Sequence, residues 1–241
     1  MNTKPDIPPP ENHPSVLAGI LKRTGTVAIF FVLIVAILFL AAGRLNWIWA
    51  WVYLGISLVS VLINAPIMLR TSPETIAERG ELKMTENWDK VVSGFYALAM
   101  YFALPLVAGL DVRFGLARDP SVAWHIAGAI VLAVGLEVTS WAMLANAYFS
   151  TAVRIQSDRG QTVCSTGPYR FVRHPGYVGV ILQCISAPIL LGSLWALIPG
   201  ITATVLIVIR TSLEDRTLQA ELAGYQDYVQ EVRYRLVPGI W

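Results

Sequence analysis

Long apolar runs separated by short polar stretches dominate the chain. Five or six can be drawn, at residues 24–43, 49–69, 91–110, 122–146, 177–191 and 194–209. A helix rising about 1.5 Å per residue needs roughly 20 residues to cross about 30 Å of hydrocarbon, so the first four predict ordinary transmembrane helices. The last two are short and are parted only by Gly192 and Ser193, with Pro188 in the first. They predict a tight helical hairpin that thins the bilayer or crosses it incompletely. The charged stretch 71–90 predicts a surface helix starting at Pro73 after Ser72, serving as a solvated connector. Residues up to Pro14 are polar and proline-rich, the composition of a disordered tail.

Composition turns these runs into a fold class. Of 241 residues, 55% are hydrophobic, well beyond a soluble domain, so the chain is expected to be an all-α integral membrane protein. With six spans and both termini cytosolic, fifteen of the 18 basic residues fall inside: Lys4, Lys22, Arg23, Arg70, Arg79, Lys83, Lys90, Arg154, Arg159, Arg170, Arg173, Arg210, Arg216, Arg233 and Arg235. Only Arg44, Arg113 and Arg118 fall outside, as the positive-inside rule expects of the correct orientation. A re-entrant hairpin gives the same count. The net charge of +2 says little about partners, and no basic stripe with interleaved aromatics points to nucleic acid. The first run is too long for a removable signal peptide and lacks a small-residue cleavage site, so it reads as a retained anchor. Cys164 and Cys184 have neither C-x-x-C spacing nor a histidine cluster, so no metal and no redox pair is expected. No internal repeat supports an inverted-repeat transporter.

Unusual polar residues begin at Asn146. The stretch NAYFSTAVRIQSDRGQTVCSTGPYRFVRHPGYVG leaves the fourth span, crosses the cytosolic face and re-enters at the hairpin. Its centre, RHPGYVG, is followed by RTSLEDRTL and then GYQDYVQEVRYRLVPGIW. This succession resembles the isoprenylcysteine carboxyl methyltransferase family and its membrane-embedded relatives, the phospholipid N-methyltransferases among them, over about the last hundred residues. The first four spans carry no such signature. The division implied is a polar tail at 1–23, helices at 24–145, and a methyltransferase core at 146–241 made of a cofactor loop, the hairpin and a C-terminal amphipathic helix.

The resemblance implies methyl transfer from S-adenosylmethionine at the membrane boundary, in a cytosolic pocket built from the C-terminal half. No G-x-G-x-x-G follows a strand, in keeping with the absence of a Rossmann domain. The cofactor site maps by resemblance onto Gln156, Gln161, Thr162, Val163, Cys164, Tyr169, His174, Pro175, Gly176, Tyr177 and Glu214. Relatives of the prenylcysteine type often carry histidine where this chain has Gln161. The chemistry suits these residue types. Tyr169 and Tyr177 can stack or donate, backbone amides at 162–164 can pair with a purine edge, His174 can donate to a carboxylate, and Glu214 can accept from a ribose or ammonium. Interfacial anchoring of the tyrosines and a histidine satisfied by a helix-end carbonyl are the plainer readings.

Arg210 and Glu214 are spaced i, i+4 on the last helix, one turn apart on one face. An arginine at the inner end of an apolar helix snorkels or meets an anion. A substrate carboxylate is such an anion, already ionised and in need of no strong base. Arg210 is therefore expected to orient it and Glu214 to position the cofactor, with a surface salt bridge between the two as the plainer alternative. Arg173 is read as a third catalytic candidate, serving cofactor or lipid phosphate, or else topology. Asp215 is expected to be solvated. Glu137, in the fourth span with Ser140 at i+3, is read as lining a substrate channel or bonding a neighbouring helix. Asn64 and Gln183 are expected to hydrogen-bond between helices. The acceptor is expected to be lipophilic: a prenylcysteine-type carboxylate first, a phospholipid amine second. Compact loops point to a bacterial inner membrane. A non-catalytic lipid-binding or transport protein on the same scaffold and a nicotinamide-dependent membrane reductase are the competing classes. Retention of His174, Tyr177, Arg210 and Glu214 weighs against the first.

Overall fold

The computed structural model describes residues 16–80, 86–116 and 120–241. The tail expected up to Pro14, and the charges Lys4, Lys83 and Arg118, lie outside the described residues. All regular structure described is helical: α1 (Val16–Ala42), α2 (Ile48–Thr71), α3 (Pro73–Gly80), α4 (Asn87–Ala97), a π-helical segment (Leu98–Ala103), α5 (Leu104–Phe114), α6 (Val122–Ala145), two 3₁₀ turns (Ser157–Arg159 and Gly167–Arg170), α7 (Pro175–Leu191), α8 (Leu197–Glu221) and α9 (Tyr225–Glu231). The π-helical segment joins α4 and α5 into one helix of 28 residues.

Among the described residues, five helices are long and apolar enough to cross a membrane: α1, α2, the α4 to α5 unit, α6 and α8. Only one arm of the expected hairpin is short. The apolar run at 194–209 ends, but α8 continues to Glu221, because the polar residues that follow are helix formers and no glycine or proline occurs before Gly224. The short arm, α7, has 17 residues, ~25 Å at ~1.5 Å per residue. It is sheltered between α6 and α8, with nine of its residues buried.

Glycines set that packing, as expected where helix association depends on close approach. A Cβ at Gly179 would lie 2.5 Å from the Gly135 carbonyl oxygen and 2.3 Å from Thr139 Oγ1, and one at Gly128 would lie 2.4 Å from the Leu190 amide. Since Gly128 meets Leu190 and Gly135 meets Gly179, α7 runs antiparallel along α6. On its other side a Cβ at Gly200 of α8 would meet the Cys184 carbonyl oxygen at 2.5 Å. Leu38, Leu54, Met100, Leu104, Cys184 and Leu191 form the core between the helices. Leu40, Leu62, Ile130 and Ile198 are exposed, an apolar outer surface suited to lipid.

The α3 helix begins at Pro73 as the sequence predicts. It is held on α1 by an intimate contact, where a Cβ on Gly80 would overlap the Gly19 carbonyl oxygen at 2.2 Å. Thr75 Oγ1 donates to the Ala147 carbonyl at 2.9 Å, and Arg154 Nη2 meets Glu78 at 2.6 Å, so α3 also anchors the loop that follows α6.

Candidate functional site

The first turn of α7 carries His174, Pro175, Gly176 and Tyr177, and two charge clusters meet there. Pro175 starts the helix, where its missing N–H is harmless. Gly176 leaves room for Phe149, whose ring would lie 2.6 Å from a Cβ at that position. The His174 and Tyr177 rings stack with centroids 5.9 Å apart, one toward each cluster.

In the first cluster Arg210 lies over the Tyr177 ring, 5.6 Å from its centroid. Its Nε and Nη2 donate to Asp89 at 2.8 and 3.2 Å, and Nη2 also donates to the Thr151 carbonyl at 2.7 Å. Asp89 is wholly buried and accepts further from the Val153 amide at 2.8 Å and Ser93 Oγ at 3.1 Å. Arg210 Nη1 takes no partner among the described residues. The Tyr177 hydroxyl donates to Glu214. The i, i+4 salt bridge between Arg210 and Glu214 therefore does not form: buried Asp89 takes the arginine and Tyr177 takes the glutamate. Beside them Thr151 Oγ1 is the one buried side-chain N or O atom without a hydrogen bond among the described residues.

The second cluster corrects two expectations. Asp215 is not solvated but fully buried. Glu214 faces α7, and the next residue along the helix faces the chain that follows α9. Asp215 accepts from Arg173 Nε and Nη2 at 2.8 and 2.9 Å, Arg235 Nε at 2.7 Å, Tyr225 Oη at 3.0 Å and Gln219 Nε2 at 2.8 Å. His174 Nε2 sits 3.1 Å from the same carboxylate. Arg173, expected to be catalytic, is consumed here, since its Nη1 donates to the Val232 and Arg233 carbonyls at 2.8 and 2.7 Å. Burial works against its charge, but the Asp215 hydrogen bonds and charge outweigh this and hold its pKa above the usual value. The Arg173 and His174 amides donate to the Tyr234 and Arg235 carbonyls at 2.9 and 3.0 Å, strapping residues 232–235 across the motif.

The loop between α6 and α7 places the other candidates unequally. Gln156 is buried and spent on the loop itself: Nε2 donates to the Tyr148 carbonyl at 2.7 Å, and Oε1 accepts from Arg159 at 2.6 Å. Gln161 Oε1 accepts from the Gln156 amide at 2.7 Å. Tyr169 turns inward, with its hydroxyl 3.3 Å from Asn146 Nδ2, and burial raises its pKa. Val163 packs on Leu222, Tyr225, Tyr228 and Val232. Cys164 Sγ donates to the Ala145 carbonyl at 3.3 Å, and Thr162 is exposed. The backbone amides of Thr162, Val163 and Cys164 donate to nothing among the described residues, so they remain available to a ligand. Glu137 lies away from both clusters. Its carboxylate accepts from Ser60 Oγ at 2.9 Å and Asn64 Nδ2 at 3.1 Å on α2, the helix-to-helix bond of the two readings. Gln183 likewise donates to Thr139 at 3.0 Å.

No group of three or more possible metal ligands occurs among the described residues. A cavity of about 290 Å³ lies at the opposite end of the bundle, lined by Arg44, Trp47, Trp49, Asp111 and Gly192. It holds none of the candidate residues.

Residues 124–220 match the isoprenylcysteine carboxyl methyltransferase (ICMT) family. A Bacillus subtilis (strain 168) protein described as "Uncharacterized protein YpbQ" is 25% identical over 171 residues, 70% of this chain and 96% of its own length. The family resemblance is thus found over α6, α7 and most of α8; it reaches back into the fourth span, expected to carry no signature, and ends before the GYQDYVQEVRYRLVPGIW block. The matched family is one of methyltransferases, and the apolar helices agree with an integral membrane protein. The strap at 232–235 lies beyond the matched residues.

Proposed function

From the ICMT-family segment and the geometry around it, we propose that this protein is a membrane methyltransferase that uses S-adenosylmethionine and methylates a lipophilic carboxylate of the isoprenylcysteine type, with both termini and the site at the cytosolic face. The observation that carries the reading is Arg210. Asp89 and the Thr151 carbonyl fix this guanidinium over Tyr177 while Nη1 stays open, the arrangement needed to hold one oxygen of a carboxylate and leave the other reactive.

The residues fit the cofactor. Glu214, held by Tyr177, suits an ammonium or ribose hydroxyls. The open amides at 162–164 suit a purine edge, and the unsatisfied Oγ1 of Thr151 belongs to the residue whose carbonyl holds Arg210. When bound, S-adenosylmethionine supplies an electrophilic methyl group on a sulfonium. The chain's own contribution is alignment. Arg210 orients the acceptor, Glu214 and Tyr177 position the donor, and His174 presents Nδ1 because Asp215 occupies Nε2. Arg173 and Asp215 are positioning residues that hold the motif and strap together. A carboxylate acceptor needs no base, so the surroundings contribute fixed charges and exclusion of water.

Calorimetric titration of the detergent-purified protein with S-adenosylhomocysteine tests this reading. Micromolar affinity that falls in Glu214→Gln is expected. No binding by folded wild-type protein removes the methyltransferase reading. Arg210→Lys is expected to spare that affinity and slow transfer to a carboxylate acceptor; equal slowing with an amine acceptor removes the carboxylate-orienting role.

A further inference from the structure

Two arginines counted only as topology charges lie against the site, and both come from outside the family-matched segment. Arg79, on α3, stands over the Phe149 ring at 5.0 Å, and Cε2 and Cζ of that ring abut Gly176. Tyr177 is the next residue, and Arg210 covers its ring. The Gly19 to Gly80 contact sets α3 against α1 at the level of Arg23, whose amide nitrogen would lie 3.2 Å from a Cβ on Gly80. Arg23, Arg79 and Arg210 thus come to this region from α1, α3 and α8, near enough for the charges of Arg23 and Arg210 to bear on Arg79.

Their electrostatics do not close. Arg210 has Asp89, but neither Arg23 nor Arg79 has a hydrogen bond or a carboxylate partner among the described residues. They do not snorkel outward as exposed Arg70 does, since both are half-buried. Desolvation, together with the charges of Arg23 and Arg210, pushes the Arg79 pKa down. A guanidinium nevertheless keeps its proton in proteins, so such a cluster calls for an anion. Two turns deeper on α1, Phe30 packs on Tyr101 with ring centroids 5.3 Å apart, so the wall beneath the charges is apolar and aromatic.

We propose that Arg23, Arg79 and Arg210 form a binding site for the anionic head of a membrane amphiphile, a carboxylate or phosphate on an apolar chain, beside the open Nη1 of Arg210. This rests on the methyltransferase reading only in making that amphiphile the acceptor. The anion site itself follows from the unpaired charges. Arg23 and Arg79 hold the head, Arg210 presents it, and the chain runs along Phe30 and Tyr101.

The test is titration of the full-length protein in neutral detergent with dodecanoate, dodecyl phosphate and dodecanol, with S-adenosylhomocysteine titrated separately. Both anions are expected to bind at least ~10-fold tighter than the alcohol. The Arg23→Gln/Arg79→Gln double variant is expected to lose that preference, Arg79→Lys to keep most of it, and S-adenosylhomocysteine affinity to hold in both. A tighter dodecanoate assigns the site to an acid, and a tighter dodecyl phosphate to a phospholipid-type head. No preference for anions over dodecanol, or an unchanged preference in the double variant, overturns the proposal. Should the double variant not fold, Arg79→Gln against Arg79→Lys decides on the same readout. Anion binding without S-adenosylhomocysteine binding keeps this site and removes the methyltransferase reading; the converse removes this site alone.

Discussion

Asp215 and Arg79 are both charged groups withdrawn from bulk water, and their neighbourhoods are opposites. Around Asp215 two arginines, a histidine, a tyrosine and a glutamine converge on one carboxylate. Around Arg79 the nearby charges are arginines, and the contact on its face is the Phe149 ring. The first arrangement is complete without a ligand and leaves Asp215 nothing to offer one. The second is unfinished, and an anion would complete it. In a low-dielectric site a charge with its counter-charges built in acts as structure, whereas a charge without them is a demand on the solvent or on a ligand. The Arg210 to Asp89 pair lies between these cases, mostly satisfied with one nitrogen open.

Asp215→Ala breaks the comparison hardest. It leaves Arg173 and Arg235 facing each other without their anion and should cost ~3–5 kcal/mol in detergent-denaturation experiments. The Arg173 and His174 amides should then exchange faster, because the strap that accepts from them is released. Asp89→Ala comes next, at ~2–4 kcal/mol, since it strands Arg210. The double change Asp89→Ala/Arg210→Gln should recover at least ~1 kcal/mol of that loss in a double-mutant cycle; strict additivity would show the pair to be energetically idle. Glu214→Gln should move stability by less than ~0.5 kcal/mol yet weaken S-adenosylhomocysteine by ~1.5–3 kcal/mol, the range for hydrogen bonds to charged groups. Arg79→Gln is expected to have the smallest effect and the opposite sign. Removing an uncompensated cation should raise the melting temperature of the ligand-free protein by roughly 2–4 °C, and a fall of similar size would mean the cation has a counter-charge after all.

Which parts of this were legible in the sequence follows from the range of the interactions. Helices announced themselves through runs of apolar residues, and Pro73 marked the start of α3, because those signals are local. The end of α8 was misjudged because hydropathy reports the membrane rather than the helix, and the helix outlasts the hydrocarbon by three turns. His174, Tyr177, Arg210 and Glu214 were legible through the motif, and the structure brings them together. Their partners were not. Asp89 looks like one charge in a solvated connector until the fold brings it to Arg210, 121 positions away. Asp215 follows Glu214 directly, yet a helix turns about 100° per residue, so neighbours in sequence serve different clusters. The charge of Arg173 makes it a candidate for cofactor, lipid phosphate or topology, and the resemblance puts Gln156 at the cofactor. The structure spends one on Asp215 and the other on the loop, and nothing in a list of residue types could show that. Glu137, with partners 77 and 73 positions away on α2, was undecidable for the same reason.

The strap at 232–235 also sets an order of events during biosynthesis. Arg173 leaves the ribosome about 60 residues before Arg235, an interval of ~3–12 s at ~5–20 residues per second. α7 and α8 are themselves made within that interval, and until the strap follows them Asp215 lacks Arg235 and Arg173 lacks the carbonyls of residues 232 and 233. The carboxylate is therefore partly unmatched until Arg235 is made. A nascent chain arrested before residue 232 should therefore carry α7 and α8 without the carbonyls that hold the Arg173 and His174 amides.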